Sequence, residues 1–136
     1  MSSTVQENDA PNPGDELRPF FVKTNPAGAE DVAPGIKRQI LGYGDTIMGV
    51  RVWFSKGAVG ETHAHFHAQM AYVESGQFRV TVGEREMVLS AGDSFYAPPN
   101  TMHGAVCLED GVLIDVFSPA RQDFLEPQDE TSSYGK

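Results

Sequence analysis

The chain of 136 residues has one cysteine, Cys107, and one tryptophan, and its 10 Lys and Arg are outnumbered by 19 Asp and Glu. A lone cysteine excludes a disulfide framework and a thiolate metal cluster. The formal charge of −9 leaves no basic cluster to neutralise phosphates, which excludes nucleic acid as a partner. No apolar run approaches membrane-spanning length. No basic segment followed by an apolar run opens the chain, so a signal peptide is not expected. A soluble cytoplasmic protein is the expectation. A helical hydrophobic period of useful length is also missing.

What is present is a series of short alternating segments separated by Gly and Pro turns, the pattern of an all-β antiparallel sandwich or barrel. At this length one domain suffices, with enough chain to bury a working core. Residues 1–18 are polar and read as a flexible arm, residues 19–125 as the domain, and residues 126–136 as a flexible tail.

Pro19-Phe-Phe-Val22 is the first apolar cluster and reads as a short edge strand; residues 25–35, with two prolines and two glycines, read as loop. Strands are expected at Ile36–Leu41 and Ile47–Phe54, the latter with Val50, Val52 and Phe54 on one face. Glu74-Ser-Gly76 and Glu109-Asp-Gly111 read as hairpin turns, each joining two separate strands. Trp53, Tyr72, Phe78, Phe95 and Tyr96 are expected in the core or a pocket wall, and Met48, Met70, Met87 and Met102 as core fillers.

The run Gly57-Ala-Val-Gly-Glu-Thr-His63-Ala-His65-Phe-His67-Ala-Gln69 carries the strongest chemical signal. Residues two apart on a strand share a face, so His63 and His65 project side by side as half of a transition-metal site. Gln69 offers an amide oxygen, and His103 adds an imidazole from a later stretch. His67 shares the parity but falls where the chain should bend, and it is not expected as a ligand. The competing reading is a surface histidine run. Three imidazoles and a neutral amide suit Ni, Zn, Fe, Mn or Cu, and leave one divalent ion its full charge. Such an ion favours an anionic ligand or developing negative charge, which answers the repulsion set by the bulk charge.

A second constellation is Asp115-Val-Phe117-Ser-Pro-Ala-Arg121. A carboxylate following Val112-Leu-Ile114 is costly unless paired or functional. Two readings stay open: a rim salt bridge between Asp115 and Arg121, or Asp115 as a general acid/base with Arg121 as a bidentate clamp on a substrate carboxylate.

Both histidine stretches resemble cupin motifs. Gly57, His63, His65, Gln69 and Gly76 fall at the places of the first motif, with Gln69 replacing the usual acid. Gly92, Pro98 and His103 match the second, with Asn100 where Gly is usual. The resemblance implies a jelly-roll β-barrel. From about Pro34 to Leu125 the chain is similar to the small cupins of the pectin-degradation KdgF family, most discriminatingly in the run from Asp115 to Arg121.

That family opens and ketonises 4,5-unsaturated uronates released by pectate and alginate lyases, giving the linear 5-keto-4-deoxyuronate. It implies metal ligands at His63, His65, Gln69 and His103, with acid/base and substrate roles for Asp115, Phe117 and Arg121. Ala68, where an acid is common in such runs, is a departure. A homodimer is expected by analogy with other cupins. The alternatives are a non-catalytic sugar-binding or regulatory cupin, or another small metal cupin acting as lyase, dioxygenase or isomerase.

Overall fold

A computed structural model describes residues 19–126. The arm expected over 1–18 and the tail expected after residue 126 lie outside the described residues. Eight strands run in order: β1 (Glu30–Ala33), β2 (Ile36–Tyr43), β3 (Met48–Phe54), β4 (Val59–His63), β5 (Ala68–Val82), β6 (Arg85–Ser90), β7 (Ser94–Ala97) and β8 (His103–Ser118). One helical turn, α1 (Gln122–Leu125), follows. All pairings are antiparallel, in the order β1-β2-β3-β8-β5-β6, with β4 on β8 and β7 on β5. This is the expected all-β jelly roll.

The two expected hairpin turns are bends inside single strands. β5 and β8 each run through them and pair with one another along most of their lengths, with register shifts between Val73 and Phe78. Each strand thereby serves two faces of the barrel. The N-terminal half of β5 and the C-terminal half of β8 join β3 and β7, while the other halves join β4 and β6.

The bends depend on glycine. Gly76 has φ of +84°, and a Cβ there would lie 2.5 Å from both the Asp110 carbonyl oxygen and the Gly111 Cα. Two backbones pass too closely for any side chain. The extra residue in the β5 bend also switches its parity, from Gln69, Ala71 and Val73 facing inward to Phe78 and Val80.

β3 reads as expected, burying Met48, Val50, Val52 and Phe54 in strict alternation. They meet Val73, Phe78, Val80, Cys107, Leu113 and Phe117 in the core. Phe54 and Phe78 pack edge to face at 5.1 Å.

Several expectations are corrected. Pro19–Val22 forms no strand, and Phe20 and Phe21 are exposed; the first strand lies instead at Glu30–Ala33, inside the expected loop. Of the four methionines expected as core fillers, Met48 is core, while Met70, Met87 and Met102 are exposed. Tyr72 and Tyr96 also face outward. Among the flagged aromatics, Phe78 is fully buried and Phe95 packs on the core from the edge. Met70, Tyr72 and Tyr96 sit on the outer parity of β5 and β7, whose inner parity fills the barrel, and apolarity alone does not say which face is inside. Met87 shares the parity of buried Leu89 but is exposed on β6, at the end of the strand order, and Met102 precedes β8.

Candidate metal centre

His63 ends β4, His103 opens β8, and β4–β8 register pairs the two directly. His65 lies in the loop after β4, and Gln69 on the inward parity of β5. That loop is tied down from the second motif: the Asn100 backbone N–H donates to the His65 carbonyl at 2.7 Å. Asn100 itself has φ of +61°. This explains the departure at the usual glycine position, because Asn is among the few residues that tolerate the left-handed region.

Ligating atoms of His63, His65 and His103 all lie within 4.8 Å of one another. In each ring Nδ1 faces a backbone carbonyl two residues away: Glu61 at 2.7 Å, His67 at 2.9 Å and Thr101 at 2.9 Å. A carbonyl can only accept, so Nδ1 carries the proton and a neutral ring presents a bare lone pair at Nε2. The Gln69 amide oxygen lies 3.1 Å from His65 Nε2 and 3.0 Å from His103 Nε2. These contacts bring acceptor against acceptor.

Convergent lone pairs without a donor among them make a cation site, and backbone carbonyls orienting the far nitrogen are the usual outer support of metal-bound histidine. The donor set therefore fits a divalent metal of the borderline class.

The rings are held neutral. Burial depresses all three histidine pKa values, with the Arg121 charge adding to the effect, and His65 falls to about 4. His67 stands apart from the cluster: its ring is buried, stacked on Phe66 at 3.9 Å and 5.4 Å from the His65 ring. Its pKa is lowered by burial and by Arg121.

Asp115 and Phe117 share the inward parity of β8. Asp115 has 0 % exposure and is opposite Val50 on β3 and Ala71 on β5. The Phe117 ring meets His65 edge-on at 5.8 Å. After the Ser118–Pro119 bond, which is cis, the chain turns back, and Arg121 is 1 % exposed with its guanidinium 5.0 Å from the Phe117 ring. Its Nε and Nη2 donate to Asp123 at 3.0 and 2.8 Å. Burial alone would raise the Asp123 pKa, but the Arg121 hydrogen bonds and charge hold it below the usual carboxylate value.

Asp123, Phe124 and Arg38 are the residues of this region that sequence reasoning passes over. Arg38 is flanked by ordinary strand residues, and Asp123 and Phe124 sit in a segment too short to show a period.

A jelly-roll barrel carrying three histidines and an amide on its inner wall is the arrangement of a metal-binding cupin. Residues 50–117 match the model of the family described as Cupin domain. The chain is 49 % identical over 98 residues to the pectin degradation protein KdgF of Dickeya dadantii (strain 3937), covering 71 % of this chain and 89 % of that protein. Among solved structures, KdgF from a Halomonas species superposes with a TM-score of 0.74 at 45 % identity, covering 76 % of this chain and 96 % of that one. An RmlC-like cupin from Shewanella frigidimarina NCIMB 400 gives a TM-score of 0.75 at 50 % identity, with coverage of 78 % and 96 %. The chain belongs to the cupin family and, within it, to the family of KdgF.

Proposed function

We propose that the chain is a metal-dependent enzyme of pectin or alginate breakdown that converts 4,5-unsaturated uronate monosaccharides to linear 5-keto-4-deoxyuronate. The observation that carries this is the meeting of four convergent lone pairs with an enclosed carboxylate and a buried arginine in one barrel. The similarity to proteins named for pectin degradation supports it.

The reaction is an isomerisation and needs no co-reactant. The C1 hydroxyl loses its proton, the C1–O5 bond breaks as C1=O forms, and the electron pair leaves O5 as an enolate. Protonation at C4 completes the 5-ketone. His63, His65, Gln69 and His103 would hold a divalent metal, which supplies positive charge for the developing enolate oxygen. Gln69, being neutral, cancels none of that charge.

Asp115 takes the proton of the C1 hydroxyl and delivers a proton to C4, a general acid/base role. Arg121 holds the substrate carboxylate. With Asp123 on the Nε–Nη2 edge, the carboxylate meets the Nη1–Nη2 edge. Phe117 packs the sugar ring against His65 and excludes water.

The test follows the ultraviolet absorbance of the conjugated enol as a lyase generates unsaturated monomers. Native protein, metal-stripped protein and no protein are compared. Decay faster than background that vanishes with the metal and returns on its addition is the expected result. Decay no faster than background rejects the enzyme, and uronate binding without turnover then assigns a sugar-binding cupin.

The partner in solution is proposed to be a second copy of the chain. Exposed Met70 and Tyr96 are paired across β5 and β7, Tyr72 lies on the same outward parity, and Val116 and Ile114 of β8 sit opposite Met70 and Tyr72. An apolar sheet face of this kind is characteristic of a protein–protein contact. Light scattering should give twice the chain mass, and Tyr72→Glu should halve it.

No helix among the described residues is long and apolar enough to cross a membrane.

A further inference from the structure

Arg121 does not stand alone at the site. The Phe124 ring has the Arg121 guanidinium at 4.1 Å and the Arg38 guanidinium at 3.9 Å from its centroid. Arg38 in turn donates to Glu30 through Nε at 3.3 Å and Nη2 at 3.0 Å, its register partner on β1. Both of these donors meet the single oxygen Glu30 Oε1, whereas Asp123 forks Arg121 with both of its carboxylate oxygens, Oδ1 and Oδ2. A continuous column thus runs from Glu30 through Arg38, Phe124 and Arg121 to Asp123. It joins β1 and β2 to the helical turn α1.

The column ends beside the metal centre. Phe117 is edge-on to Phe124 at 5.6 Å and to His65 at 5.8 Å, so one ring separates the column from a ligand.

As a device for stability the column is poorly chosen. Two arginines buried to 2 % and 1 % exposure repel one another and lose hydration, and an apolar packing of similar volume serves stability as well or better. Its geometry does something else: a guanidinium stacked on a ring and forked by a carboxylate has its plane and one edge fixed. A pre-set plane is what recognition of a carboxylate requires, since little further side-chain freedom is lost on binding.

We infer that Arg38, Phe124 and Asp123 are positioning residues, which fix the plane of the Arg121 guanidinium for an anionic group bound beside the three histidines. The inference rests on the uronate reading for the identity of that group, a sugar carboxylate. Phe124 acts through Arg121 and does not itself touch the sugar. Its loss should therefore weaken binding of ground state and transition state alike, raising KM with little change in kcat.

The experiment compares the unsubstituted protein with Phe124→Leu, Phe124→Tyr and Asp123→Asn, each checked for metal content and melting temperature. Asp123 is half exposed, so its neutral isostere should fold even if the leucine variant does not. Turnover is measured on unsaturated uronate. Binding is measured separately by NMR with D-galacturonate, a saturated uronate, and with neutral D-galactose. Phe124→Leu and Asp123→Asn should raise KM and the galacturonate Kd about ten-fold, the scale of a buried cation–π contact, with kcat within about two-fold.

Phe124→Tyr keeps the ring and should restore both constants, while galactose binding should not change in any variant. Unaltered galacturonate binding in both weakened variants, or equal losses for galactose, overturns the inference. So does failure of the unsubstituted protein to bind galacturonate. If that protein binds galacturonate in the predicted order but accelerates no turnover, the column stands and the enzymatic reading falls.

Discussion

His103 Nε2 and the Gln69 amide oxygen lie 3.0 Å apart across 34 positions of sequence, acceptor facing acceptor. The contact exists because β5 and β8 are antiparallel neighbours that bend together. A cation between such groups turns their approach from repulsive to favourable.

Gln69→Glu tests the charge argument. The carboxylate should retain the metal, since acids are good ligands, but cancel one unit of its charge. Metal content should stay at one ion per chain while turnover falls by about ten-fold or more, on the scale of a lost transition-state charge contact. Undiminished turnover would remove the proposed reason for a neutral ligand.

Asp115→Asn should keep both fold and metal, because the amide matches the carboxyl in shape. Turnover should fall by about 10²–10⁴-fold, the usual contribution of a general acid/base. A variant that runs at the native rate would show that the proton travels by another group.

Acid should destabilise the metal-free protein in a specific window. Burial lowers the histidine pKa values in the folded state, His65 to about 4, whereas the unfolded chain titrates near 6.5. Between those limits the unfolded chain binds more protons, so stability falls as pH falls through 6.5 and stops falling from this source below about 4. Denaturant midpoints of stripped protein at pH 7, 5.5 and 4 should decrease in that order. Loading with metal should flatten the profile above the pH at which protons displace the ion.

Gly76→Ala should be among the most damaging substitutions outside the site. It asks an L-residue to hold φ of +84° and places a Cβ 2.5 Å from backbone, where no flexible side chain can yield. A loss exceeding about 2 kcal/mol is expected from strain and overpacking together. Asn100→Gly, at φ of +61°, should cost almost nothing, while Asn100→Val should cost about 1–2 kcal/mol. Chemical denaturation of the three variants checks the order.

Much of this protein was legible before folding. Period-two alternation from Met48 to Phe54 specified a strand and its inner face, because a pleated chain has no other way to segregate such a pattern. The His63, His65 and His103 spacing likewise named the three residues whose nitrogens converge. Three things were decided only in three dimensions. Gly76 and Gly111 bend strands instead of ending them, a distinction that depends on another backbone passing within contact distance. The outer parity of β5 and β7 carries Met70, Tyr72 and Tyr96, and hydrophobicity cannot tell a core face from a surface one. The column from Glu30 to Asp123 joins β1 and β2 to α1 by stacking and ion pairing, contacts that leave no period or motif in a sequence because their partners share no local geometry.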